Sequence, residues 1–177
     1  MQGIRPYNIP LPAELVSLII GKSAKTVLEI GCGYGRARFF LREKGLEVTG
    51  VDVNKEQVEQ TLEEKKSGRV NERIELGVND AGHLCFPAYS FDVVMKLGVL
   101  TQIMKNERLR VIRDVERVMK PHGYILSEEF GRAWQNPVYR KRYKRDAELS
   151  DELGTFAVRD EQEKILHFSI TSLVENC

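Results

Sequence analysis

Acidic and glycine residues in the first half of the sequence have the types and spacing of a nucleotide-binding site. Glu29 is followed by the glycine-rich stretch Gly31-Cys32-Gly33-Tyr34-Gly35, and Asp52 comes after the next apolar run. A glycine backbone turns tightly and approaches a ligand closely, because no side chain blocks the way. A carboxylate accepts hydrogen bonds from both neighbouring hydroxyls of a ribose. The pattern therefore predicts a site for a nucleoside-containing ligand, with Asp52 on the ribose.

Alternating strands and helices are predicted to position these residues. Short apolar, β-branched runs predict strands at 25–30, 46–51, 73–78, 91–97 and 124–130. Helical patterns precede or separate them, at 11–20, 36–44, 54–66 and 106–120, and Asn54 with Gln57 forms a capping box. Parallel neighbours need a connection of about a dozen residues, so this alternation favours an α/β fold with a doubly wound, mostly parallel sheet and helices on both faces.

Ligands bind such a sheet at the carboxyl ends of its strands, near the point where the strand order reverses. Asn79 and Asp80 follow the third predicted strand, and Leu97 ends the fourth. We therefore expect these residues to lie at the same edge of the sheet as Glu29 and Asp52.

The composition indicates one globular domain, residues 1–177. The chain carries 27 Lys and Arg against 26 Asp and Glu, which excludes strong bulk attraction to nucleic acid or to an anionic membrane. The cysteines at 32, 85 and 177 show no C-x-x-C spacing, which favours a reducing compartment. No signal-peptide or membrane-spanning pattern is found, so a cytoplasmic location without membrane contact is expected.

The glycine-rich stretch departs from the dinucleotide fingerprint G-x-G-x-x-G, whose last glycine would fall where the chain has Arg36. The stretch VLEIGCGYGR instead resembles the first motif of class I S-adenosylmethionine (SAM)-dependent methyltransferases. Further motifs of that family follow in order: GVDV at 50–53, Asp80-Ala81, SFDVV at 90–94 and VMKPHG at 118–123. The resemblance covers about residues 26 to 130.

The resemblance implies a Rossmann-like methyltransferase fold, SAM as the methyl donor and a role for each matching residue. Glu29, with the backbone around Gly31 and Leu97, would hold the methionine end of the cofactor, and Asp52 would hold the ribose. Val53 would lie against the adenine, and Asp80 would accept a hydrogen bond from the adenine amino group. The implied cofactor-binding set is Glu29, Gly31, Cys32, Gly33, Asp52, Val53, Asn79, Asp80, Ala81 and Leu97.

The resemblance also implies where the methyl acceptor binds. The N-terminal segment, the loop after strand four and the region after strand five flank the methyl group in the family. The candidate substrate-binding residues are Tyr7, Tyr34, Thr101 and Trp134. Glu128 and Glu129, at the end of strand five, are candidates for a general base, with solvated carboxylates as the alternative. Methyl transfer depends mainly on in-line positioning, so few catalytic groups are expected.

Three other features have competing interpretations. Cys32 precedes a helix start, where a thiol can become reactive, but a small packing residue is favoured. His83 and Cys85 match no zinc-ligand spacing with Cys32, so no metal is expected. The basic run at 139–145 interleaves tyrosines with arginine and lysine, as an RNA-contacting surface does, but a solvated helix face is favoured.

The C-terminal part departs from the family pattern. Residues 131–168 are interpreted as a lid-like insertion with a weak strand at 154–158, and residues 169–176 as the start of a helix. The antiparallel hairpin that completes the family's sheet is not recognised.

The expected function is methyl transfer from SAM to a small-molecule acceptor. The alternatives are tRNA or rRNA methylation through the run at 139–145, a non-catalytic SAM-binding module and an NAD-dependent oxidoreductase. Self-association is left open.

Overall fold

Five strands form one sheet, and the first strand of the chain lies at its centre. The computed structural model describes residues 11, 13–21, 23–33, 41–66, 75–129, 137, 141, 144–145, 156–159 and 164–167. The strands are β1 Thr26–Ile30, β2 Glu47–Asp52, β3 Glu75–Val78, β4 Phe91–Leu97 and β5 Met119–Glu128, in the order β3-β2-β1-β4-β5. β1 is parallel to β2 and β4, and β2 is parallel to β3. The strand order reverses beside β1, as in other doubly wound sheets, so the predicted fold class is confirmed.

β5 runs parallel to β4 and contains a bulge. Ser90 N donates to Val118 O at the start of the pair, and Gly98 N donates to Glu128 O at its end. The stretch from Val118 to Glu128 is longer than the one it faces, so part of β5 bulges out. β5 begins at Met119 rather than at Tyr124, because pairing with β4 starts directly after the preceding helix.

Helices flank the sheet. They are α1 Ala13–Gly21, α2 Lys55–Lys66 and α3 Lys105–Val118, with a 3₁₀ turn at Leu100–Gln102 and helical residues at 41–43. The predicted N-cap of α2 is confirmed, since Asn54 Oδ1 accepts a 3.1 Å hydrogen bond from Gln57 N. The helix predicted at 36–44 is described only in its last turn, and the one predicted at 169–176 lies outside the described residues.

The core is built on the central strands. Val27 and Leu28 of β1 and Val93, Val94 and Met95 of β4 are fully buried. Consecutive residues of a strand point to opposite faces, so burial of an unbroken run means that both faces of the sheet are covered. Each such side chain contributes roughly 1.5–3 kcal/mol to folding.

A charged network joins the starts of β1 and β4. Asp92 Oδ2 accepts hydrogen bonds of 2.9 Å from Lys25 N, Thr26 N and Thr26 Oγ1, and Oδ1 accepts one of 2.9 Å from Lys120 Nζ. Partial burial acts to raise the pKa of Asp92, but the hydrogen bonds from Lys120, Thr26 and Lys25 outweigh it and hold that pKa well below its ordinary value. This network lies at the amino-terminal edge of the sheet, away from the carboxyl ends of the strands.

The chain divides into two units. The first comprises residues 1–96 and 110–126 and contains most of the five-stranded sheet. The second comprises residues 97–109 and 127–177 and contains the 3₁₀ turn and an antiparallel pair, β6 Phe156–Arg159 and β7 Lys164–His167.

The antiparallel pair was only partly anticipated from the sequence. β6 overlaps the weak strand predicted at 154–158, whereas no strand is predicted from the sequence at β7. The two strands form a sheet of their own. Within the described part of the chain, no helix is long and apolar enough to cross a membrane.

Candidate functional site

The glycine loop after β1 has the backbone conformation that its sequence predicted. Gly31 has φ +68° and Gly33 has φ +48°, in the left-handed region that other residues enter at a cost. A Cβ at Gly33 would also lie 3.3 Å from Gln57 Oε1 at the start of α2. These glycines therefore keep the backbone of the loop open to a ligand.

Asp52 is fixed in place by two backbone N–H groups. Gly33 N donates to Asp52 Oδ2 over 2.7 Å, and Asn54 N donates to Asp52 Oδ1 over 2.9 Å. One bond ties the carboxylate to the glycine loop, and the other ties it to the cap of α2. Each oxygen keeps a second lone pair, so a half-buried carboxylate in this position can still accept hydrogen bonds from a ligand.

The floor beneath the glycine loop is closely packed. A Cβ at Gly50 in β2 would lie 2.9 Å from Leu76 Cδ2 and 3.0 Å from Cys32 Sγ. Cys32 is only 4% exposed, and this burial favours the packing role over a reactive thiol. Glu29 pairs in register with Gly50 and is also 4% exposed. A carboxylate is seldom buried this far unless it is paired, so Glu29 differs from the solvated carboxylates of the surface.

Two apolar side chains lie exposed at the ends of the neighbouring strands. Val53, directly after β2, is 75% exposed, and Val78, the last residue of β3, is 52% exposed. Asn79 N donates to Asp52 O over 3.0 Å, which keeps the ends of β2 and β3 together. An exposed apolar surface beside a fixed carboxylate suits a flat aromatic base attached to a ribose.

Asp80 is held by partners on both of its oxygens. Gly82 N donates to Oδ1 over 2.7 Å, and Arg110 Nη2 lies 3.2 Å from Oδ2. The backbone O of Asp80 accepts a further hydrogen bond from His83 N, 2.9 Å long, which closes a turn that includes Ala81. The residues predicted after β3 therefore form a fixed turn at the edge of the sheet.

The loop from this turn to β4 is fastened to α3 by residues that sequence reasoning missed. Asp114 accepts a hydrogen bond from Leu84 N. Arg117 donates to Asp114 Oδ1, Phe86 O and Leu84 O, each over 2.6 Å. Asp114 and Arg117 lie three residues apart on one face of the helix, where side chains can pair, but no sequence signal pointed to the loop carbonyls as further partners.

Electrostatic interactions strengthen the contacts that Asp114 and Arg117 make with the loop. Partial burial acts to raise the pKa of Asp114, but the hydrogen bonds from Arg117 and from Leu84 N outweigh it and lower that pKa. The hydrogen bond to Asp114 is the main reason that the pKa of Arg117 is raised. Both groups therefore keep their charges throughout the neutral range.

The turn after β4, in the second unit, is capped at both ends. Leu97 ends β4, and Gly98 follows with φ +72°. Glu129 accepts hydrogen bonds from Leu100 N (3.2 Å) and Thr101 N (3.3 Å) through its two carboxylate oxygens. The buried Arg108 donates from Nε to Leu100 O (3.1 Å) and Ile103 O (3.0 Å). An anion at the N-terminal end and a cation at the C-terminal end both match the dipole of the turn.

The candidate acceptor-side residues are described only in part. Thr101 is buried, and its Oγ1 donates to Gly98 O over 2.9 Å, so its hydroxyl supports the turn. Glu128 is exposed. Tyr7, Tyr34 and Trp134 lie outside the described residues. Within the basic run at 139–145, the structure describes Lys141, Lys144 and Arg145, all exposed.

Comparisons with known proteins agree with this architecture. The family described as "Methyltransferase domain" matches residues 28–127. A crystal structure of a SAM-dependent methyltransferase from Methanosarcina mazei is similar to the chain, with a TM-score of 0.72 and 33% identity over 85% of this chain and 76% of that one.

Two curated relatives differ in what their names say they methylate. A 27-O-demethylrifamycin SV methyltransferase from Amycolatopsis mediterranei is 30% identical over 68% of this chain and 44% of its own length. A tRNA N(3)-cytidine methyltransferase from Gallus gallus is 30% identical over 84% of this chain and 40% of its own length. The chain thus spans less than half the length of either curated relative.

Proposed function

Because the chain belongs to the methyltransferase domain family, we propose that it transfers a methyl group from SAM to a small-molecule acceptor. The observation that carries the proposal is the Asp52 carboxylate, held by Gly33 N and Asn54 N beside a glycine loop. The relative from Amycolatopsis mediterranei, whose name specifies a small-molecule acceptor, supports the acceptor class.

The cofactor fits the residues at this edge of the sheet. SAM supplies an electrophilic methyl group on a sulfonium when it is bound. Asp52 accepts hydrogen bonds from the ribose hydroxyls, and the open backbone at Gly31 and Gly33 leaves room for the cofactor. Val53 and Val78 offer apolar surface for the adenine ring, and the turn of Asn79, Asp80 and Ala81 offers it a hydrogen-bond acceptor.

The methionine end of the cofactor is assigned by the family resemblance. In this proposal, the buried Glu29 carboxylate and the backbone at Gly31 hold its amino and carboxylate groups. Cys32 contributes its backbone and fills the space beneath the loop.

The acceptor side depends on orientation rather than on a protein nucleophile. A fixed acceptor in line with the sulfonium supplies most of the rate enhancement through proximity. Tyr7, Tyr34 and Trp134 are proposed to contact the acceptor. Thr101 is proposed to act by holding the turn after β4, since its hydroxyl already donates to Gly98 O.

Ligand-induced stabilisation tests the proposal. We expect S-adenosylhomocysteine to raise the melting temperature, and NAD to leave it unchanged, because a ligand stabilises a fold only when it binds the native state. Asp52→Ala should abolish the shift, whereas Glu47→Gln, at the exposed start of the same strand, should keep it. A shift with NAD alone would identify an oxidoreductase.

A turnover screen then separates an enzyme from a non-catalytic SAM-binding module. The protein is incubated with SAM carrying a labelled methyl group and with fractionated metabolites. Transfer of the label into a small-molecule fraction is expected. Binding of S-adenosylhomocysteine without transfer to any metabolite or RNA fraction would favour the non-catalytic module.

A tRNA acceptor is a second candidate. The relative from Gallus gallus aligns with 84% of this chain, and Lys141, Lys144 and Arg145 are exposed. Recognition of RNA through this run predicts binding that weakens steeply with salt and is lost when Lys141 and Lys144 are changed to Gln. RNA binding that changes neither with salt nor with the substitutions at Lys141 and Lys144 would exclude this run as the RNA contact.

A further inference from the structure

An arginine outside the proposed cofactor set holds one of its members. Arg110 of α3 places Nη2 3.2 Å from Asp80 Oδ2, while Gly82 N donates to Asp80 Oδ1 over 2.7 Å. The Asp80 carboxylate is therefore restrained at both oxygens. Because a carboxylate oxygen has two lone pairs, each still has capacity for a ligand hydrogen bond.

Gly82 provides the space that Arg110 occupies. A Cβ at Gly82 would lie 2.5 Å from Arg110 Nε and 3.0 Å from Arg110 Nη2. Gly82 does not have a positive φ, in contrast to Gly31, Gly33 and Gly98. The backbone would therefore accept a side chain at this position, but the guanidinium of Arg110 would have to move to admit it.

Stability alone gives a weak reason for this arrangement. The Arg110 and Asp80 side chains are 56% and 57% exposed. Ion pairs that are so accessible to water contribute only ~0–1 kcal/mol to folding. Restraint of the carboxylate, in contrast, matters wherever a ligand must meet it in one orientation.

We propose that Arg110 is a positioning residue for the adenine of the cofactor and acts through Asp80. The inference rests on the proposed function, in which Asp80 accepts a hydrogen bond from the adenine amino group. An ionised carboxylate can only accept, so it favours adenine over hypoxanthine, whose carbonyl oxygen replaces that amino group. By fixing Asp80, Arg110 makes this discrimination sharper.

Calorimetric binding to two ligands tests the inference. The probes are S-adenosylhomocysteine and its hypoxanthine counterpart, S-inosylhomocysteine, and the variants are Arg110→Gln and Gly82→Ala. Gly82→Ala keeps the arginine but pushes its guanidinium aside. The control is Arg113→Gln, which removes an exposed arginine from the same helix. Melting temperatures without ligand show whether each variant is folded.

We expect both test variants to raise the Kd for S-adenosylhomocysteine about fivefold, which is the effect expected from the loss of one exposed charged contact. The Kd for S-inosylhomocysteine should change less. The Kd for S-inosylhomocysteine divided by the Kd for S-adenosylhomocysteine should therefore fall. The control should keep the wild-type ratio.

An unchanged ratio in both test variants would overturn the inference, even if both ligands bound more weakly, because equal weakening indicates a purely structural role. If the wild-type protein does not bind S-adenosylhomocysteine, the proposed function itself fails, and that result is distinct from a change confined to the variants.

Discussion

The backbone N–H of Gly33 donates a 2.7 Å hydrogen bond to the carboxylate of Asp52 and so ties the glycine loop to the end of β2. The residue proposed to bind the ribose is therefore also the residue that sets the path of the loop. Because this hydrogen bond lies within the protein, it restrains both the carboxylate and the loop, and such restraint lowers the entropy that binding must overcome.

Gly50→Ala should destabilise the protein by about 1–3 kcal/mol, the usual cost of overpacking. The new methyl group would lie 2.9 Å from Leu76 Cδ2 and 3.0 Å from Cys32 Sγ, so the strand or the glycine loop must shift. Urea unfolding measures the change. Gly77→Ala is the matched control, since a Cβ there meets nothing within 4 Å. Equal stability of the two variants would show that the floor of the loop is loosely packed.

Asp92→Asn should destabilise the protein at neutral pH by about 1–3 kcal/mol, because a charge-assisted network loses its anion. The pKa of Asp92 is lowered in the folded state, so its contribution is present above the ordinary carboxylate pKa and is lost as the pH falls through that value and below it. The difference in the free energy of unfolding between wild type and variant should therefore become smaller as the pH falls. Chemical unfolding at pH 7 and near pH 3 measures it, with the exposed Glu116→Gln as control. A difference that stays constant over this range would contradict the prediction.

Glu129→Ala should destabilise the turn after β4 by about 1 kcal/mol, as removal of a helix cap does. Glu129→Gln should destabilise the turn less, because the amide oxygen of Gln can still accept one of the hydrogen bonds from Leu100 N and Thr101 N. Neither variant should remove a limb from the pH profile of kcat once an acceptor is known. If Gln at this position abolished turnover as fully as Ala and removed that limb, Glu129 would be a general base instead.

Arg117→Lys should release the loop between β3 and β4. A lysine ammonium cannot reproduce the three-way contact with Asp114 Oδ1, Phe86 O and Leu84 O, so a loss of about 2 kcal/mol is expected. Hydrogen exchange measures the release directly, and the amide of Leu84 should exchange faster. Arg113→Lys, at an exposed position of the same helix, should leave the exchange of that amide unchanged. Unaltered exchange in Arg117→Lys would show that the loop is held by other contacts.

Local signals in the sequence account for the parts of the fold and of the candidate site that were predicted. The limits of β4 and the cap at Asn54 follow from short-range patterns, and both agree with the structure. The glycine loop and Asp52 could be placed because strand ends converge at one edge of a parallel sheet.

Long-range side-chain partners could not be predicted in the same way. Arg110 meets Asp80 across 30 positions of the sequence, and Arg117 reaches Leu84 across 33. No periodicity encodes which carbonyl or carboxylate a long side chain will reach. Thr101 shows the same limit, because nothing in the sequence indicates that its hydroxyl donates to Gly98 O.

The network around Asp92 has a consequence for redesign. It joins Lys25, Thr26 and Lys120 at the amino-terminal edge of the sheet. The residues of the first unit that are proposed to touch the cofactor lie instead at the carboxyl ends of the strands or directly after them. Mutational libraries directed at the carboxyl-terminal edge can therefore explore new ligand preferences without altering the anchor that keeps the strands in register.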